Sequence, residues 1–137
     1  MRRRLIWRLF PAFVAVVVPA LFLFSLAAFR IFNDFHLARV TEELKAQATL
    51  AEPILRTASD RQQAARELGE RTGTRFTVIL PDGAVAADSA EDPAQMDNHG
   101  DRPEVKNAFA GLLGVSSRYS PTLQKDLLYV ALRVRDA

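Results

Sequence analysis

From Leu9 to Phe29 the chain carries no charged residue and is built almost wholly of Leu, Phe, Val and Ala. A helix of about twenty such residues rises roughly 30 Å, the depth of a bilayer's hydrocarbon core. Residues 9–29 are therefore expected to form a transmembrane helix. Pro19 does not argue against it, because membrane helices tolerate proline, and Pro11 sits where a first turn accepts one. Trp7 falls at the expected interface, where aromatic belts lie. Arg2, Arg3, Arg4 and Arg8 outweigh the mixed charges that follow the run. The positive-inside rule then makes residues 1–8 a cytoplasmic basic tail and puts everything after Phe29 outside. The competing reading is a cleaved signal peptide, with Ser25, Ala27 and Ala28 near its end. Signal h-regions usually run about 7–15 residues, and this one is longer, which favours an uncleaved anchor.

The formal charge of +2 conceals an asymmetry. Setting aside the four leading arginines, 14 of the 18 basic residues face 16 acidic ones, so the body is slightly acidic. A nucleic-acid binder carries its positive charge on the folded domain, and this chain does not. With no cysteine, neither a disulfide framework nor a thiolate metal site can form. What remains after the membrane run is enough for one modest domain with its own core.

Beyond Arg30, Leu37, Val40, Leu44, Ala48, Ala51 and Leu55 recur three or four apart, one apolar face of a helix. The membrane helix is expected to continue outward as this amphipathic helix, which packs partly on its own domain and offers a stripe for a parallel homodimer. Ser59 and Gln62 have capping-box spacing, so a second short helix should run from about Asp60 to Glu70 and end near Gly73. Phe76, Val78 and Leu80 then alternate as a strand. Pro81-Asp82-Gly83 reads as a turn, and Val85 to Asp88 as the returning strand. Ser89 to Arg102 is a polar loop. Pro103 and Glu104 suit a helix start, with Val105, Ala108, Phe109 and Leu112 as the buried face. Strands are expected at about Val115–Ser120 and Leu127–Val134, joined by Pro121 to Asp126. The order places helices on one side of an antiparallel sheet, an α+β domain over residues 30–137. Its last strand meets the C-terminus, so a truncated chain is expected.

Several linked segments are more specific. Ala87-Asp88-Ser89, Glu91-Asp92-Pro93, Met96-Asp97-Asn98-His99, Arg102-Pro103-Glu104-Val105, Arg118-Tyr119-Ser120-Pro121-Thr122-Leu123 and Leu128-Tyr129-Val130-Ala131 follow in one order. Together they resemble the extracytoplasmic sensor region of bacterial sensor histidine kinases of the phosphate-regulon, PhoR-like type. The resemblance covers roughly Arg30 to Val134. It implies a PAS- or Cache-like fold in the bacterial inner membrane, serving two-component signal transduction. It also implies a second membrane helix, a HAMP linker and a kinase that uses ATP and Mg²⁺ and passes a phosphoryl group to a response regulator. None of those parts is written here. His36 precedes Leu37 and His99 precedes Gly100, so neither opens a phosphoacceptor box, and no ATP-binding box appears. The chain itself is expected to be no enzyme and to hold no cofactor, as the sensor fragment of such a kinase.

For sites, Arg102 and Arg118, with Lys106 nearby, are the candidates to hold a small anion, since guanidinium forks suit phosphate or carboxylate. Tyr119 and Tyr129, on adjacent expected strands, are candidates to line a pocket, against the plainer reading of core packing with the hydroxyl at the surface. Asp88, Glu91, Asp92, Asp97, Asn98, His99 and Asp101 crowd oxygen ligands into one loop. Their spacing misses the EF-hand pattern and such carboxylates usually make Asx-turns, so no metal is expected. Gly111 to Gly114 reads as the end of a helix, and nothing supplies an activated nucleophile for a hydrolase. The alternatives to a sensor-kinase input are a stand-alone membrane-anchored binding or assembly domain, or the input half of a chemoreceptor or cyclase.

Overall fold

The computed structural model describes residues 2–120 and 125–134. The connection expected at Pro121–Gln124 lies outside them, and so do the side chains of residues 2–9, Trp7 and Leu9 among them. The chain is a mixture of helices and small antiparallel sheets, with a long apolar helix at its N-terminus. It divides into two compact units, Met1–Val40 and Thr41–Ala137.

Helix α1, Arg2–Thr57, is unbroken through Pro11, Pro19 and Pro53. In the first unit its apolar side chains face outward, with Phe13, Phe22, Phe24 and Phe29 each more than 60 % exposed. None of its most apolar stretch is buried, and the helix is long and apolar enough to cross a membrane or to serve as a signal sequence. Exposure continues past Arg30 through Ile31, Phe32 and Phe35.

Toward its far end α1 turns amphipathic, as its spacing requires. Val40, Leu44, Ala48 and Leu55 are half-buried and Ala51 is fully buried, while Leu37 stays exposed. Cover of the stripe is greatest at Ala51. Leu50 and Ile54, on the neighbouring face, are exposed.

Helix α2, Arg61–Thr72, is capped one residue later than the capping-box spacing predicts. Asp60, not Ser59, is the N-cap, and its carboxylate accepts from the Gln63 amide at 3.0 Å. Aspartate caps at least as well as serine, and the shift releases Gln62 for another task. The Gln62 amide donates to the Asp88 carbonyl and accepts from the Asp88 N–H, both at 2.9 Å. It so occupies the edge of a strand as a peptide group would, and docks α2 on the first hairpin. That hairpin pairs β1, Thr77–Ile79, with β2, Val85–Asp88, with a register shift between Val78 and Ile79. The Pro81-Asp82-Gly83 turn forms as expected: Gly83 has φ 85° and the Asp82 carboxylate accepts from the Ala84 N–H.

After a 3-10 turn, Pro93–Gln95, helix α3 runs Pro103–Phe109. The second hairpin pairs β3, Gly114–Ser120, with β4, Lys125–Ala131. A single sheet is the expectation from sequence; among the described residues there are two two-stranded sheets. Two local features account for this. β1 is only three residues long and its ladder slips, while the edge of β2 is already filled by Gln62. β4 also stops at Ala131 rather than Val134, because its partner there is Gly114, the first residue of β3. The core is small and made of small side chains, with Ala65, Ala87 and Ala108 joined by Phe76 and Val105.

Candidate functional site

Three buried polar residues gather beside this core: Asp88 at the end of β2, His99 in the loop and Glu104 in the first turn of α3. Asp88 is completely enclosed. Both its oxygens accept from Arg75 Nε, at 3.0 and 3.1 Å, and Thr77 Oγ1 donates to it at 2.6 Å. The Ala90 and Glu91 amides add bonds of 2.9 and 3.0 Å. Burial alone would raise its pKa. The donors outweigh that and hold it below the ordinary carboxylate value.

Glu104 meets Arg118 in a two-pronged pair, with Arg118 Nη1 and Nη2 donating at 2.9 and 2.6 Å. The Arg118 guanidinium also lies 4.0 Å from the centre of the Tyr129 ring. Strand geometry explains the meeting. Gly114, Ser116 and Arg118 lie on one face of β3, and the register puts Tyr129 on the same face, opposite Ser116. Burial pushes the Glu104 pKa up and the Arg118 bonds pull it further down; the same bonds raise that of Arg118.

Arg102 caps the start of α3 with no side-chain cap bond. Its guanidinium makes no hydrogen bond or ion pair to another described residue, while Arg75 and Arg118 are both occupied. Burial first, and then the charge of Arg118, make its positive form harder to hold. The cluster of Arg75, Arg102 and Arg118 with Asp88 and Glu104 therefore carries one positive charge not matched by a carboxylate, and that charge is on Arg102.

The sequence-predicted site residues are only partly brought together. Arg102 and Arg118 sit within electrostatic range of each other, with Tyr129 beside Arg118. Tyr119 is not part of the group. It is opposite Asp126 on the other face of the hairpin and 61 % exposed, since odd and even positions of a strand point to opposite sides. Arg118 is also not a free anion receptor, because Glu104 holds its fork. Lys106 pairs with Asp101 at 2.9 Å on the surface.

The acidic loop is similarly dispersed. Asp92 accepts from the Ala94 amide as the cap of the 3-10 turn, Asp101 faces Lys106, and Asp88 serves Arg75. Reading Asp88 as one of the loop's polar set, and Glu104 only as part of a helix start, misses both as buried anchors. The signal available was a carboxylate ending an apolar strand, Val85-Ala86-Ala87-Asp88, and another just ahead of the apolar face of α3.

No protein-family model, curated protein or solved structure matches this chain.

Proposed function

We propose that this chain is the signal-input module of a membrane-bound sensor, held by an uncleaved N-terminal anchor with residues 30–137 outside the bacterial inner membrane. The observation that carries the reading is α1. One helix holds both an unburied apolar stretch of membrane length and the stripe that borders a small α+β unit. Movement of the outer unit along or about that helix is then available to whatever lies across the membrane.

The order helix, helix, hairpin, loop, helix, hairpin supports a PAS/Cache-like outer domain, and the ordered motifs from Ala87 to Ala131 support a PhoR-like histidine kinase as the parent. On this reading ATP, Mg²⁺ and the response regulator belong to the kinase, and the outer unit works as a homodimer. Because Ala51 is covered by its own unit, the uncovered apolar side chains Leu50 and Ile54 are what α1 offers a partner beside it. Disulfide scanning in membranes tests this directly, since the chain has no cysteine of its own. Cysteines at Leu50 and Ile54 are expected to cross-link strongly and one at Ala51 weakly. Uniformly low cross-linking along the helix would count against a dimeric input module.

A further inference from the structure

His99 is unlike the rest of its loop. It is 3 % exposed, and neither ring nitrogen makes a hydrogen bond of good geometry, although the backbone carbonyls of Asp97 and Asn98 lie near enough to favour a charged ring. A neutral imidazole offers one donor and one acceptor, and leaving such groups poorly met in a buried place is unfavourable. One backbone bond and one side-chain bond hold it there. The His99 N–H donates to the Gly83 carbonyl at 2.8 Å, and Asn98 Nδ2 donates to the Asp82 carbonyl at 2.8 Å. Gly83 and Gly100 are packed so closely that a Cβ on Gly83 would lie 2.7 Å from the Gly100 nitrogen. The turn of the first hairpin and the segment after Asp97 thus form a clasp, with the His99 ring as its buried pin.

The charges around the ring leave no ready counter-ion for a proton. From β2, Asp88 attracts it, yet that carboxylate is engaged by Arg75 and Thr77. From α3, Arg102 repels it and Glu104 is committed to Arg118. In the turn and the loop, Asp82 and Asp97 are exposed and Asp101 faces Lys106. Burial, followed by the charge of Arg102, lowers the His99 pKa from 6.5 and outweighs the Asn98 and Asp97 backbone carbonyls, which favour the proton.

We propose that His99 is a proton-operated latch: a proton taken up in mildly acid surroundings expels the ring and frees the Asp97–Arg102 segment from the hairpin turn. The release reaches further, because the Arg102 N–H donates to the His99 carbonyl at 3.1 Å and Arg102 begins α3. The sign follows from linkage. The unfolded chain binds the proton near pH 6.5 and the folded one only lower, so the contribution of neutral His99 is complete above that pH. It is lost as the pH falls below 6.5, while Asp88 and Glu104 are still ionised.

The test is amide hydrogen exchange of the full chain in lipid nanodiscs at about pH 7.5 and about pH 5.5, corrected for the intrinsic pH dependence. The His99 and Gly100 amides are expected to lose protection several-fold at the lower pH. His99→Phe fills the ring's space without titrating and should be equally protected at both, whereas His36→Gln should behave as the parent chain. His99→Gln supplies a second non-titrating variant if phenylalanine does not fit, with the same pH-independence expected. Unchanged protection in the parent chain, or an equal loss in the non-titrating variants, would overturn the latch.

Discussion

Replacing Asp88 with alanine is expected to destabilise the second unit by about 3–4 kcal/mol, among the largest effects of any single substitution in it. The side chain is fully enclosed and satisfies Arg75, Thr77 and two backbone amides at once. Alanine leaves the two amides and the threonine hydroxyl without that partner, while the partly exposed Arg75 can turn to water. Small domains have only about 5–15 kcal/mol in hand, so the loss should appear as a large fall in the denaturant midpoint. Asp88→Asn keeps the shape and one acceptor and should cost less, about 1–2 kcal/mol. The pH dependence gives a second check. A carboxylate whose pKa is lowered on folding stabilises above its unfolded value of 3.8 and loses that contribution as the pH falls through the lower folded one. The alanine variant should therefore lack that part of the acid-induced loss. An Asp88→Ala chain as stable as its parent would mean that the five bonds around this carboxylate are not holding β2, the loop and Arg75 together.

The second large effect is expected from Gly114→Ala. Gly114 is buried at the start of β3, and a Cβ there would fall on the carbonyl oxygen of Glu104 and 2.6 Å from its carbonyl carbon. Those are backbone atoms of α3 and cannot swing aside as a side chain would. The helix must lift from the hairpin, at a cost of about 3 kcal/mol, the upper end for overpacking. Lifting α3 also separates Glu104 from Arg118, four residues along the same strand. The variant should thus lose the Arg118–Glu104 pair as well as stability. A crystal structure or Arg118 side-chain NMR signals would show it, and an unchanged pair in a stable variant would contradict the packing described here.

The parts of this fold legible in the sequence are those with a local cause. The apolar helical run, the three-and-four spacing from Val40 to Leu55 and the Pro81-Asp82-Gly83 turn each act within a few residues, and each appears as expected, while Leu37 stays exposed. The helix start at Pro103 is of the same kind. The site was less legible because its contacts are long-range. Arg75 finds Asp88 across a hairpin, and Arg118 finds Glu104 because Gly114 lets β3 approach α3. Nothing in the spacing of Arg118 distinguishes a guanidinium free to hold an anion from one already held by glutamate. Tyr119 was misplaced for a simpler reason: it lies one residue from Arg118, and a strand turns such neighbours to opposite faces. His99 stands among acidic residues that are mostly exposed, and long-range bonds to the hairpin turn, from its own N–H to Gly83 and from Asn98 to Asp82, draw the ring inside.

The central claim, an uncleaved anchor with its α+β unit outside the membrane, has a direct test in the absence of native cysteine. A single cysteine at the exposed position Arg66 on α2 should react with a membrane-impermeant thiol reagent added to intact cells. The labelled chain should sediment with the membranes at full length. Labelling that appears only after the cells are broken would place the unit inside. A shortened, soluble product would show the apolar segment to be a cleaved signal sequence, and either result would contradict the account.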